Sequence, residues 1–502
     1  MVIYMKNKFL KISMQQLILI YTCIIFGIYR LSVILDQDYF LHFYTGKYIL
    51  DNKVIPRYDI FSWYKVDVRW YTPSWAFCIL IYILKHIVVI ILFSVLVMVL
   101  LRILTKMFFK NDKELNILKY GFFVLLSYTI LTYASPRPAT ISFLFFAVTI
   151  NILFEFINEE KFKTKKLYLL PIIQLLWVNF HGASSALMYI LIFVVLILNV
   201  LPNFLIGSIE HVKLSKSKFR TLLITLLVVL GVSLINPNTY EFFYFVFSNF
   251  TNKELSMYIS ELKSPVFGSI VQIIIYLLPL FLIGLTFLIN KTKKFKLYDL
   301  VLIILFMMMY FKGDRYYPYF VISSIWFLGK YLSIDLLILK VSRINTVTQK
   351  MIINLVFIFI IILLLIFNYK LYDGYKNPLA TNIYFSSSLE EKLIEIRPKR
   401  IANYFTQGSP LTDIFSKNET GSKVFINSLA EIYIKSEIFF DAVDLYNINV
   451  SPDEIIDKYR FDYILTGTNS SLYSFLELQK EEYEISFRDA KYTIFKVLRY
   501  AD

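Results

Sequence analysis

Asp36-Gln37-Asp38-Tyr39-Phe40-Leu41-His42-Phe43-Tyr44-Thr45-Gly46-Lys47 begins where a mostly apolar run over residues 12–35 ends. Two carboxylates and an imidazole thus stand where a membrane-length helix meets water. The stretch continues through Ile55-Pro56-Arg57-Tyr58-Asp59-Ile60-Phe61-Ser62-Trp63 to Trp75, too rich in charge to lie in hydrocarbon. Ionisable groups at a bilayer edge are costly to hold and are read first as functional.

Composition sets the frame. The 502 residues are 57% hydrophobic, 18% aromatic and 18% charged, with mean hydropathy +0.60; a soluble domain carries about 25% charge. Apolar runs of about 17–25 residues match a hydrocarbon core of ~30 Å at 1.5 Å per residue. The pattern predicts an α-helical polytopic membrane protein of about eleven spans, and excludes a barrel, whose strands alternate. The net charge of +15 does not point to nucleic acid. Its lysines and arginines sit in short segments between apolar runs, as in cytoplasmic loops. Cys23 and Cys78 both lie in apolar runs and predict neither a disulfide framework nor a metal site.

Lys6, Lys8 and Lys11 put the N-terminus in the cytoplasm, and the first run, without a small-residue cleavage site, reads as a retained helix. Further spans are expected at about 75–101, 117–134, 139–157, 167–180, 219–235, 298–312 and 351–369, among others. Residues 1–370 form the membrane module, with 36–75 as its first outer loop. Residues 371–502 end up extracytoplasmic and show short alternating runs, such as Val424-Phe425-Ile426 and Tyr463-Ile464-Leu465, among helical stretches. They read as a small α/β domain of three to five strands. Basic loops fall on one side, and the polar helix ends fall on the other.

That polar set carries the candidate chemistry. Asp36 or Asp38 beside an apolar wall can act as a base toward a hydroxyl; either is otherwise a solvated helix end. His42, four residues on, strengthens the functional reading. Arg57 and Asp59 shape the loop by a local ion pair or touch substrate. Arg137, between Pro136 and Pro138, is a rigidly presented cation suited to phosphate, or one that snorkels to headgroups. Asn179 and His181 contact phosphate or a sugar hydroxyl, or cap a helix. Asn236-Pro237 reads as a helix stop, and Glu261 as a solvated charge or part of an acceptor site. Asp314 and Arg315 neutralise each other, or Arg315 meets a second phosphate. No Gly-rich phosphate loop, His-Glu-x-x-His or serine-elbow motif is present.

The run Asp36-x-Asp38-x3-His42-x3-Gly46, then Ile55-Pro56-Arg57-Tyr58-Asp59-x-Phe61-Ser62, Trp70 and Trp75, resembles the first outer loop of bacterial GT-C-type glycosyltransferase-like membrane proteins. Arg137-Pro138, Trp177-Val178-Asn179-Phe180-His181-Gly182, Asn236-Pro237 and Ser260-Glu261-Leu262-Lys263-Ser264-Pro265 look like that group's other patches, in order. The likeness covers most of residues 12–335. It is looser around Val424–Asn427 and Phe439-Phe440-Asp441, where Ala442-Val443-Asp444 replaces the group's usual basic residue. The resemblance implies a polyprenyl-phosphate sugar donor, an essential aspartate in the first outer loop, and inverting transfer to an acceptor hydroxyl of a lipid, glycan or protein. The site would lie at the outer face of a bacterial cytoplasmic membrane. No cofactor is required by this chemistry and no divalent metal is assigned; the partners are the lipid-linked donor, the acceptor and membrane lipids, with no nucleic acid. The alternative is a lipid-linked-glycan flippase or transporter, which calls for polar groups through mid-membrane and broken helices.

Overall fold

A computed structural model describes residues 38–110, 117–159, 164–251, 257–268, 270–290, 293–332 and 385–500. The expected first span (12–35), the expected eleventh (351–369) and Asp36 lie outside the described residues.

The chain is mainly helical. A first helix, α1 (Tyr39–Asn52), precedes α2 (Trp75–Phe108), α3 (Ile117–Thr132), α4 (Pro138–Asn158), α5 (Leu169–Phe180) and α6 (Gly182–Leu198). A hairpin, β1 (Phe204–Ile206) and β2 (Ile209–His211), leads to α7 (Lys216–Val232), α8 (Glu241–Thr251) and α9 (Ile270–Ile289). Then come β3 (Phe295–Lys296), which pairs parallel with β2, and the helices α10 (Leu297–Lys312) and α11 (Tyr317–Tyr331).

Within the expected first outer loop, residues 39–52 form a helix. It buries Tyr39, Phe40, Leu41 and Ile49, and Gly46 brings α1 onto α2 so closely that a Cβ would stand 2.0 Å from the Cys78 carbonyl oxygen. The expected spans are shown only in part among the described residues. Two helices there are long and apolar enough to cross a membrane, α2 and α4. Residues Gly182–Leu198 and Tyr276–Ile289 are apolar but shorter, and α5 has 12 residues, about 18 Å of rise against the ~30 Å of a bilayer core. Within α2 the helix breaks at Lys85 (φ 58°, ψ 171°).

The bundle is built around α11. Every side chain from Tyr317 to Leu328 is buried, as expected of a helix that is apolar on all faces, and Gly329 lets it meet the α2 backbone at Met107. Outward faces are apolar too: Ile87 on α2, Leu227 on α7, Phe281 and Leu288 on α9, and Met308 on α10 are exposed.

Residues 385–500 form an α/β unit. Strands β4 (Ile401–Ala402), β5 (Tyr463–Gly467), β6 (Tyr483–Arg488) and β7 (Tyr492–Val497) make one sheet in the order β4-β5-β7-β6. Its β4/β5 pair is parallel and the other two are antiparallel. The helices are α12 (Ser387–Ile396), α13 (Phe405–Lys417), α14 (Ala430–Tyr433), α15 (Glu437–Asn447), α16 (Pro452–Tyr459) and α17 (Ser471–Leu478). The hydrophobic core of this unit also contains Leu41, Phe61, Val66 and Trp70. Ser62 bridges Val424 in parallel, Ser62 Oγ donates to the Phe425 carbonyl at 2.7 Å, and Trp63 stacks on Phe425 at 5.4 Å.

Candidate site where helix ends meet

Chain direction sorts the polar residues. The start of α2, the end of α3, the start of α4, the α5–α6 junction and the α10–α11 junction all lie at one end of the bundle. The opposite end is basic: Lys110 pairs with Glu159 at 2.7 Å, Lys166 with Glu155 at 2.9 Å, and Lys330 with Asp299 at 2.5 Å.

Arg137 is the hub of the first end. It sits in extended backbone just before Pro138 at the first turn of α4, a position proline favours because its missing N–H costs nothing there. One Arg137 nitrogen (Nη2) lies 2.6 Å from Asp38 Oδ2, and the other (Nη1) lies 2.7 Å from Glu261 Oε1. The guanidinium fork thus joins the segment ahead of α1 to the turn at Ser260–Leu262 (Ser260-Glu261-Leu262). Glu261 is therefore an ion-pair partner.

His42, on α1, packs edge-on against Phe77 at 5.2 Å, with Nδ1 3.4 Å from Cys78 Sγ. Burial drives its pKa down to about 4; the Asp38 charge opposes this and Arg137 adds to it. His181, between α5 and α6, is held lower, at about 3, by burial first and then by Arg315, His42 and Arg137. Its Nδ1 lies 2.7 Å from Ser142 Oγ, which accepts from Trp177 Nε1 at 2.7 Å. Which of Ser142 Oγ and His181 Nδ1 donates follows the ring tautomer. Both histidines are neutral at pH 7, and His181 is a neutral N–H donor.

Arg315 donates to the Tyr316 hydroxyl at 3.2 Å and lies over that ring at 5.2 Å. It does not neutralise Asp314, which instead accepts from the Tyr133 hydroxyl at 2.7 Å. Burial raises the Asp314 pKa, the Tyr133 hydrogen bond counters it, and Glu261 reinforces it. Gly313 leaves room for the turn carrying Leu262, and the Asp314 N–H donates to the Lys263 carbonyl at 2.9 Å. Asp38, His42, Arg137, His181, Glu261, Asp314 and Arg315 are thus neighbours.

Five residues singled out from the sequence stand apart. Arg57 is exposed and makes no ion pair with Asp59 among the described residues; the expected pair is corrected. Asp59 accepts from the Phe61 and Ser62 amides at 2.9 and 3.3 Å, from Asn427 Nδ2 at 3.2 Å and from the Tyr433 hydroxyl. Desolvation nonetheless raises its pKa. Asn179 accepts from Trp75 Nε1 at 2.8 Å and donates to the Ile235 carbonyl at 2.9 Å, so it joins helix ends. Asn236 accepts from the Asn238 amide at 2.8 Å and closes α7. Asp441 is bound to Lys458 at 2.7 Å and to Tyr459 at 2.6 Å.

Glu431 is the residue that sequence reasoning missed. It belongs to α14, far along the chain, yet Asp38 and Arg315 are among the charges that act on it. Nothing local marks it, because its neighbours are those of an ordinary soluble helix. Among the described residues no group of three or more His, Cys, Asp and Glu side chains is arranged to hold a metal ion. Compared with known proteins, the chain matches no protein-family model and no curated protein.

Proposed function

We propose that this protein is a polytopic, GT-C-like membrane glycosyltransferase that moves a sugar from a polyprenyl-phosphate donor to an acceptor hydroxyl, with inversion. The reaction would run at the outer face of a bacterial cytoplasmic membrane. The observation that carries the reading is the Asp38–Arg137 ion pair at 2.6 Å, with neutral His42 and His181 and the cation Arg315 around it. Large apolar side chains exposed on α2, α7, α9 and α10 support a hydrocarbon surround, since lipid would take them out of water. Two helices of crossing length point the same way.

In this mechanism Asp38 takes the proton of the acceptor hydroxyl as that oxygen attacks the anomeric carbon. The bond from anomeric carbon to phosphate oxygen breaks, and its electron pair leaves on the lipid phosphate. Arg137 orients Asp38 through the ion pair. Arg315, without an acid partner among the described residues, and the His181 N–H receive the growing phosphate charge. Donors fixed in advance at the point of charge build-up usually supply the largest part of such catalysis. A lipid-borne donor fits a site at helix ends, with its tail in hydrocarbon and its head beside the acid.

The test is sugar transfer by purified protein with labelled polyprenyl-phosphate sugars, comparing the parent with Asp36→Asn and Asp38→Asn. Asp38→Asn is expected to lower kcat by about 100-fold or more with little change in donor KM. Transfer at the parental rate by both variants sinks the assignment of the base.

A further inference from the structure

A groove beside the start of α4 has no part in the chemistry above. One wall is a stripe of α2, Ile90, Phe93, Ser94 and Val97, and the other is the turn Ala134-Ser135-Pro136 after α3. The stripe recurs at three and four residues, so a single helix face supplies it. Its polar groups are spent locally. Ser94 Oγ donates to the Ile90 carbonyl at 2.9 Å, and the Ser135 carbonyl accepts from Thr140 Oγ1 and from the Arg137 amide, both at 2.6 Å. Ile91, Val95 and Met98, each one position beyond a lining residue, are exposed, so the groove opens on the apolar flank of α2. Two connections tie it to the polar cluster. Pro136 is followed directly by Arg137, whose guanidinium meets Asp38 and Glu261. Phe93 belongs to the apolar cluster of Tyr39, Phe40 and Ile141, against which Phe180 packs. Tyr39, Ile141 and Phe180 are the chain neighbours of Asp38, Ser142 and His181.

Size selects the occupant. The groove holds about 320 Å³, its open side included, along roughly 10 Å of helix from Ile90 to Val97. Its cross-section is then at most roughly 30 Å², against roughly 80–110 Å² for a helix about 10–12 Å across. A single hydrocarbon strand fits, and a helix does not. Charge supplies the second constraint, because the groove ends where Arg137 begins, and Arg315 of the same cluster suits an anionic head. Resting on the transferase reading, we propose that this groove seats the hydrocarbon chain of the lipid-linked donor, at the isoprene units nearest its phosphate. The phosphate then lies at the arginine end, and the sugar beyond it faces Asp38.

The test uses full-length protein in nanodiscs and a polyprenyl phosphate carrying a diazirine in its second isoprene unit, with labelled residues mapped by mass spectrometry. Labelling is expected within residues 90–97 and 134–136, suppressed by excess unlabelled polyprenyl phosphate and not by excess phosphatidylglycerol. Suppression by both lipids alike overturns the donor in favour of an ordinary membrane lipid. No labelling there overturns the proposal, the outcome expected if another segment of this chain fills the groove. Sugar transfer supplies an independent arm. Ile90→Trp, which fills the groove from a half-buried position, is expected to raise donor KM about tenfold, the weight of about two buried methylenes, with kcat and acceptor KM within about twofold. Val95→Trp, on the exposed flank, is expected to change none of these. Melting of Ile90→Trp at the parental temperature guards against a folding defect, and the labelling of the unaltered protein stands whatever that variant does. Unchanged donor KM in Ile90→Trp overturns the role of the groove and leaves the transferase reading intact. Specific labelling of the groove in a protein that transfers no sugar overturns the transferase reading and leaves a polyprenyl-phosphate site standing.

Discussion

Asp59 has four donors and no cation among the described residues, although Arg57 is two positions away. Local spacing suggested the pair, but two of the carboxylate's four partners, Asn427 and Tyr433, come from a segment more than 360 residues distant, which no window on the sequence reveals. Asp38, Arg137 and His181 were easier to read, because a polar group at the end of an apolar run stands out against its surroundings. Their protonation was not legible, since it depends on burial. His42 and His181 have folded pKa values of about 4 and 3, below the ordinary value near 6.5. The unfolded chain therefore binds more protons between those limits, so the stability these rings contribute is complete above about pH 6.5 and is lost as pH falls toward 4. Two consequences are expected: neither imidazole titrates above pH 5 in ring-proton spectra, and melting temperature drops between pH 6.5 and pH 4. A ring that titrates near 6.5 would contradict its burial.

At the level of elements, most helices were legible from their apolar runs, and α4 was expected at 139–157 against Pro138–Asn158. Helix α1 was not, because its aromatic and polar residues mix without a clean stripe and its contact with α2 depends on Gly46. The joint between α1 and α13 has its own acid–base behaviour. Tyr44 donates to Asp413 Oδ1 at 2.9 Å, and the Leu41 amide donates to Ser409 Oγ at 3.3 Å. Burial raises the Asp413 pKa to about 6; the Tyr44 hydrogen bond and Lys417 lower it, and Glu390 raises it. Here the sign is opposite to that of the histidines. A carboxyl whose folded pKa is raised contributes most below its unfolded value near 3.9 and loses that contribution as pH rises through 6. Asp413→Asn keeps an acceptor for Tyr44 without the charge. It is expected to stabilise the protein by about 1–3 kcal/mol at pH 7.5, with the gain gone near pH 4, as read from melting in a pH series. An equal loss at every pH would show that packing, not ionisation, governs the joint.

Over the whole molecule, the apolar faces turned outward and the buried faces of α11 follow from composition, whereas the union of the first segment with the α/β unit does not. Val95, on the long part of α2 beyond Lys85, is exposed. In a hydrocarbon surround Val95→Lys is expected to cost about 2.5–3.5 kcal/mol on insertion, seen as loss of protein from the carbonate-resistant membrane fraction; the same change at exposed Tyr58 is expected to have no such effect. Unchanged recovery of Val95→Lys would argue against lipid on that face. The Ser62–Phe425 hydrogen bond spans 363 residues, and this sets a schedule for biogenesis. At a ribosomal rate of about 5–20 residues per second, Phe61, Trp63 and Trp70 emerge roughly 20–70 s before the strand and helices that will cover them. During that interval a nascent chain displays sticky aromatic side chains with no home, which calls for a holding chaperone and makes truncation near the 3′ end of the message more damaging than the lost residues alone would suggest.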